Sequence, residues 1–218
     1  MNTRANPPLS PRKQPRQERS KQLVADILEA AIRVLARDGA RRFTTVRVAE
    51  EAGVSVGSLY QYFPNKESLL FRLQTDEWHA TGDLLGTILA DRTQPPFDRL
   101  RAMVRAFFRS EREEAQLRIA LGDAAPLYRD APETREHRAD GKRRARAFMK
   151  EALPGVPARQ RAFAADVVMT TMSAVGKKVS EESLTQAAVD AWAEASADMY
   201  IAWLRRLKFA KKLHVESF

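Results

Sequence analysis

Residues Phe43–Lys66 read FTTVRVAEEAGVSVGSLYQYFPNK. The stretch holds two short helical patterns on either side of a glycine. Thr45 is a good N-cap for a first helix ending at Ala52, since a hydroxyl there satisfies a backbone N–H that the helix leaves unpaired. Gly53 stands where a tight turn needs positive φ, which glycine alone adopts freely. Ser55 caps a second helix running to about Tyr62, and Pro64 prevents its continuation. Two short helices joined by so tight a turn must cross steeply and pack closely. That demands a small residue on the first, met by Ala49, and apolar residues after the turn, met by Val54 and Leu59. These are the packing requirements of a helix-turn-helix.

On the second helix the residues left facing outward are Gly57, Ser58, Gln61 and the aromatic tips of Tyr60 and Tyr62. They are small or hydrogen-bonding, with no acid among them. Such a surface can enter a major groove, where hydroxyls and an amide meet phosphates or base edges. Thr44, Thr45 and Arg47 lie at the start of the preceding helix, whose free N–H groups favour a phosphate, and Lys66 can clamp the flank.

Upstream, Leu23, Ile27, Ala31, Val34 and Leu35 form one apolar helical stripe that stops at Asp38-Gly39. This helix followed by TTVRVAEEAGVSVGSLYQYFPNKESLL resembles the DNA-binding domain of the TetR family of bacterial transcriptional regulators. The resemblance covers about residues 20–75. It rests on Thr44, Thr45, Ala49, Ala52-Gly53-Val54-Ser55, Gly57-Ser58-Leu59-Tyr60, Phe63 and Asn65-Lys66-Glu67-Ser68-Leu69-Leu70. It implies phosphate contacts from Thr45, Tyr60, Tyr62 and Lys66, and base-edge contacts from Val56, Gly57, Ser58 and Gln61. Thr44, Arg47 and Ser55 complete the candidate set. Where some members carry a base-contacting Arg this chain has Val46, which cannot hydrogen-bond, so the target sequence stays open.

The same segment contains Gly53-Val54-Ser55-Val56-Gly57, a match to the G-x-S-x-G nucleophile elbow. That motif needs a strand before it and a parallel sheet to hold it. Val48–Ala52 reads as helix instead, and the one alternating stretch, Thr44–Val48, has no partner strand. Ser55 is therefore read as a cap, and no catalytic residue is assigned.

The chain has 218 residues, 37 Lys and Arg against 28 Asp and Glu, and a formal charge of +9. Residues 1–66 hold 12 basic and 6 acidic side chains, so the excess concentrates at the end that carries the motif. The absence of cysteine excludes disulfides, thiolate metal sites and cysteine nucleophiles. His79, His137 and His214 lie too far apart in sequence to share a helical metal site. Neither a metal nor a cofactor is expected. No apolar run is long enough to span a bilayer, and the basic N-terminus lacks the apolar stretch of a secretory signal. The expectation is a soluble, cytoplasmic protein with no membrane partner.

Residues 1–19, with four prolines and five basic residues, read as a disordered basic arm. Helical patterns follow at roughly 45–52, 56–62, 66–90, 97–121, 132–153, 157–176 and 183–210, and a further short helix between Glu113 and Ala125 could split the 97–121 pattern. Prolines and the polar stretch Lys177–Ser183 punctuate them. The fold class is all-α, with about nine helices. A helix-turn-helix domain over 20–75 precedes a helical ligand-binding and dimerisation domain over 76–218.

Ala162–Gly176 is apolar on nearly every face, so that helix must be buried on more than one side. In the last helix Val189, Trp192, Met199, Trp203 and Leu207 recur at helical spacing beside an alanine face. Two such helices suggest a four-helix interface in a homodimer, with Phe163, Val167, Val168, Val175, Val189, Trp192, Met199 and Trp203 as candidates. A monomer that buries both helices in its own interior is the alternative; the resemblance favours the dimer. An effector cavity could be lined by Trp78, Met103, Phe107, Phe108, Tyr128, Phe148, Met149, Met169 and Met172, although such residues at helical spacing are more often plain core. Arg135–Lys150 carries seven basic residues against two acidic ones and reads as a solvated face or, alternatively, a dock for an anion.

The partners expected are therefore double-stranded DNA with a pseudo-palindromic site, a hydrophobic small-molecule effector and a second copy of the chain. The resemblance implies a repressor released by that effector. A helical protein-interaction module with non-specific DNA affinity is the alternative, and a hydrolase using Ser55 the remote one.

Overall fold

The computed structural model describes residues 18–115, 117, 131–182 and 184–209. Among them lie eight α-helices and one 3-10 turn, with no strand. The helices are α1 (Glu18–Asp38), α2 (Thr45–Glu51), α3 (Val56–Tyr62), α4 (Lys66–Ala90), α5 (Pro96–Glu113), α6 (Pro132–Ala152), α7 (Ala158–Glu181) and α8 (Gln186–Phe209); the 3-10 turn is Ala40–Arg42. Of the arm expected over 1–19, Glu18 and Arg19 belong to α1 and the remainder lies outside the described residues. No helix is long and apolar enough to cross a membrane among the described residues.

The chain divides into two compact units. Among the described residues, one holds those up to His79 together with 114, 115, 117 and 131–135; the other holds Ala80–Glu113 and those from Glu136 to Phe209. In the first, α1 buries Val24, Ile27, Ala30, Ala31, Val34 and Leu35 against Phe43, Val48, Ala49, Leu59, Phe63, Leu69 and Leu70. The i, i+3, i+4 spacing of the α1 residues creates that face, and Ala49 is fully buried where α2 passes close. Burial at about 25 cal/mol per Å² of apolar surface makes each large side chain worth roughly 1.5–3 kcal/mol.

In the second unit, Leu100, Met103, Val104 and Phe108 of α5 pack with α7 and α8, which contribute Ala164, Val168, Met172, Ala193, Ala197, Ile201 and Leu204. Arg101 donates to Glu194 at 2.8 Å and to Asp198, and Arg105 donates to Glu194, tying α5 to α8 at the rim of that core. Arg99, only 2% exposed, donates to the Leu89 carbonyl in the last turn of α4 and to Glu151 near the end of α6. Its guanidinium also lies 5.7 Å from the Phe148 ring centre. The buried charge thus satisfies a carbonyl that the helix end leaves unpaired.

One helix boundary follows the sequence pattern and one departs from it. The pattern over 97–121 is helical to Glu113 and a turn at Glu114 divides it, where the split is expected; the short helix expected as far as Ala125 lies mostly outside the described residues. The polar stretch Lys177–Ser183, expected to interrupt the chain, is helical as far as Glu181. There Val179 and Ser180 are buried, Ser180 Oγ donates to the Lys177 carbonyl, and Lys177–Glu181 and Lys178–Glu182 pair one turn apart. Exposed charges at that spacing support a helix as well as break its apolar pattern.

Candidate nucleic-acid interface

The turn between α2 and α3 is held by backbone bonds. Gly53 N–H donates to the Glu50 carbonyl at 3.1 Å and Val54 N–H to the Ala49 carbonyl at 3.0 Å. Gly53 has φ +66°, the left-handed conformation the sequence requires of it. Ser55 caps α3: its Oγ accepts from Ser58 N–H at 3.0 Å and pairs with Ser58 Oγ at 2.8 Å. The residues before it form helix α2 rather than the strand of a nucleophile elbow.

The cap of α2 is Thr44, not Thr45. Thr44 is extended and its Oγ1 accepts from Arg47 N–H at 3.3 Å. Thr45 is the first helical residue and only 7% exposed, and its hydroxyl lies 3.0 Å from the Tyr60 hydroxyl. That bond joins the start of α2 to the middle of α3. The sequence offers two adjacent threonines, and only packing decides which one turns inward.

On α3, Gly57, Tyr60 and Gln61 are exposed, Val56 and Ser58 are half-buried, and Val46 on α2 is also open to solvent. Tyr62 departs from expectation. At 5% exposure it belongs to the core with Leu59 and Phe63, so its tip does not face outward. Three successive residues at the helix end, Tyr60, Gln61 and Tyr62, cannot all share one exposed face at 3.6 residues per turn. Lys66 begins α4 with its ammonium 5.9 Å from the Phe43 ring centre. Asn65 Oδ1 caps that helix by accepting from Ser68 N–H at 2.6 Å. Thr44, Arg47 and Ser55 are all exposed.

An ion-pair network that spacing does not reveal braces the motif from behind. Glu51 accepts from Arg33 at 3.0 Å and Arg37 at 2.7 Å, while Asp38 accepts from Arg37 at 3.1 Å and Arg47 at 3.3 Å. Hydrogen bonds from Arg37, then Arg33, hold the Glu51 carboxyl below its ordinary range; Arg37 does the same for Asp38. Arg47 is therefore already partly committed within the protein.

The effector candidates fall in both units. Met103, Phe108, Phe148, Met149 and Met172 are buried in the second unit, where Phe107 and Met169 are partly buried. Trp78 packs in the first unit, edge-on to Phe71 at 6.4 Å. Tyr128 lies outside the described residues. Of the dimer candidates, Phe163, Trp192 and Met199 are exposed at 60%, 38% and 55%. Val167, Val175 and Trp203 are half-buried. Val168 and Val189 are the exceptions, at 3% and 1% exposure: they point into the chain's own core and are not available to a partner.

A family model for bacterial regulatory proteins of the tetR family matches residues 27–73, and one for the tetracyclin repressor-like C-terminal domain matches residues 95–207, over half of the chain. The chain belongs to the tetR family. Among its relatives, an uncharacterized HTH-type transcriptional regulator of Haemophilus influenzae is 27% identical over 113 residues, 50% of this chain and 58% of that protein. A nucleoid occlusion factor, SlmA, of Vibrio atlanticus is 32% identical over 114 residues, 52% of this chain and 55% of that one. The chain thus matches a little over half the length of these curated relatives. The solved structure of the fatty acid degradation regulator FadR from Bacillus halodurans superposes with a TM-score of 0.59. The two share 18% identity, and the match covers 81% of this chain and 97% of FadR; at that identity it shows the tetR fold alone.

Proposed function

We propose that this tetR-family chain is a homodimeric, DNA-binding transcription regulator, a repressor that leaves a pseudo-palindromic operator when a hydrophobic small molecule binds its C-terminal domain. The observation that carries the reading is the acid-free outer surface of α3, with Gly57, Tyr60 and Gln61 exposed on a helix fixed by the Ser55 cap and the Gly53 turn. Tyr60, Lys66, Thr44 and Arg47 take phosphates; Val56, Gly57, Ser58 and Gln61 face base edges. Thr45 acts through Tyr60 as a positioning residue. A second copy joins through the exposed apolar residues of α7 and α8, presenting two recognition helices to two half-sites. Occlusion of a promoter is the regulatory step, and it takes place in the cytoplasm.

Release follows if the effector binds the DNA-incompetent state more tightly, by about 1–3 kcal/mol for a useful response. The buried Met and Phe residues of the second unit suit an apolar effector. The test is fluorescence anisotropy with duplex DNA from upstream of the chain's own gene against scrambled DNA, at low and physiological salt. The reading expects preference for the natural sequence that persists at the higher salt, with two subunits per site. Equal and salt-sensitive binding to both DNAs would reduce it to non-specific attraction.

A further inference from the structure

Arg138, Lys142, Arg143, Arg146 and Lys150 project from α6 within the second unit, and all five are exposed. Positions 138, 142, 146 and 150 follow one another every fourth residue, so their side chains form a single row along the helix. The acids nearby leave the row largely uncompensated. Asp140 is shared between Arg143 at 2.9 Å and Arg144 at 2.6 Å, and Asp166 reaches Arg146 only at 4.0 Å. Glu151 is engaged by the buried Arg99. Arg138, Lys142 and Lys150 have no ion-pair partner among the described residues. The opposite face of α6 is fixed in the core through Phe148, Met149 and Ala152.

We propose that this row binds the phosphate backbone of duplex DNA without regard to base sequence, as a contact separate from α3. The choice of DNA as the polyanion rests on the regulator reading; the row itself does not. From 138 to 150 a helix rises about 18 Å at 1.5 Å per residue. One strand carries about one phosphate per 3.4 Å of duplex axis, so roughly five phosphates fall within the length that these five cations span. Three of the five are Arg, whose planar fork meets two phosphate oxygens at once. Phe148 is the helix's one Phe, Tyr or Trp and it is buried, so no large ring of that kind lies beside the row to stack the bases of a single strand. With its apolar face sealed in the core, α6 cannot dip into a bilayer.

The test uses the full chain with Arg138→Gln, Lys142→Gln and Lys150→Gln combined. Arg92→Gln, Lys177→Gln and Lys208→Gln combined form a control of equal net charge. Affinity for a random-sequence duplex is measured by anisotropy between about 50 and 200 mM salt, with circular dichroism melts to show that both proteins are folded. The α6 triple is expected to flatten the dependence of log affinity on log salt by about 2–3, near 0.9 per lost phosphate contact. It is also expected to bind at least tenfold more weakly at the lowest salt, while the control keeps the wild-type slope. Equal slopes for the α6 triple and wild type, or equal losses in both triples, overturn the proposal. So does loss of binding to poly-L-glutamate or to phosphatidylglycerol vesicles with the DNA slope unchanged, which gives the row to another polyanion. Tyr60→Phe with Lys66→Gln, measured in parallel, separates the two readings. An effect of this pair alone leaves α3 standing and removes the α6 contact; an effect of the α6 triple alone does the reverse.

Discussion

Replacing Gly53 by Ala isolates backbone strain from steric clash. A Cβ there would meet nothing within 4 Å, yet φ is +66°. The expected loss is about 1–2 kcal/mol, the cost of a left-handed L-residue, read as a lower denaturant midpoint with an unchanged m-value. Ser55→Ala should cost about 1 kcal/mol by removing the α3 cap. Tyr60→Phe removes the hydroxyl that meets Thr45 at 3.0 Å. Stability should fall by only about 0.5–1.5 kcal/mol, whereas binding should weaken to every duplex alike. Gln61→Ala, at an exposed base-facing position, should instead change the ranking among sequences. Anisotropy on a panel of operator variants checks both, and a uniform effect of Gln61→Ala would reverse its assignment.

At the scale of elements, the close approach of α5 and α7 depends on Gly176. A Cβ on it would lie 2.8 Å from Phe107 Cε1 and 3.0 Å from Glu111 Cγ and Cδ. Gly176→Ala must displace the Phe107 and Glu111 side chains or the helices that carry them, and overpacking of this kind costs roughly 1–3 kcal/mol; a thermal melt reads the loss. Between α1 and α2 the relevant quantity is pH. Glu51 and Asp38 have lowered pKa values in the folded state. Their stabilisation is therefore complete above the ordinary carboxylate range, near 4, and is lost as pH falls through the lowered folded values. Wild type should thus lose stability faster than Glu51→Gln below about pH 4, an effect that salt diminishes because the pairs are exposed. None of that bracing is legible in sequence, since Arg33 and Glu51 are eighteen positions apart and meet only after α1 and α2 have packed. The Ser55 cap, the Gly53 turn and the α3 boundaries are legible because each is a local choice of residue. The exchange of roles between Thr44 and Thr45, the burial of Tyr62 and the continuation of α7 to Glu181 are not, because tertiary contact decides which face of a short or mixed-pattern helix turns inward.

For the whole molecule, the same limit governs α7 and α8. A helix that is apolar on every side carries no direction that separates its own core from a partner, which is why Val168 and Val189 could not be sorted from Phe163 and Met199 by spacing. Burial sorts them. On α8, Val189, Ala193, Ala197, Ile201 and Leu204 turn inward, while Ala191, Trp192, Ala195, Met199 and Ala202 remain exposed along the other side. On α7, Phe163 lies edge-on to Trp203 at 6.5 Å, and its 60% exposure leaves most of its surface open. Small alanines allow two helices to approach, and Trp192 and Met199 supply apolar area, so this side suits a second copy better than solvent. In a two-fold interface each residue acts twice, so a charge at position 199 enters the contact once from each copy. Met199→Glu should therefore convert a dimer to a monomer in sedimentation equilibrium at micromolar concentration. The unfolding midpoint of the isolated chain should change little, because Met199 is more than half exposed and is not part of the chain's own core. Operator affinity should fall far more than affinity for random DNA, since only specific binding uses both half-sites together. A variant that remains dimeric would place the interface elsewhere on the molecule. A monomeric variant that still binds the operator at full strength would show that pairing of α3 helices is not what the site reads.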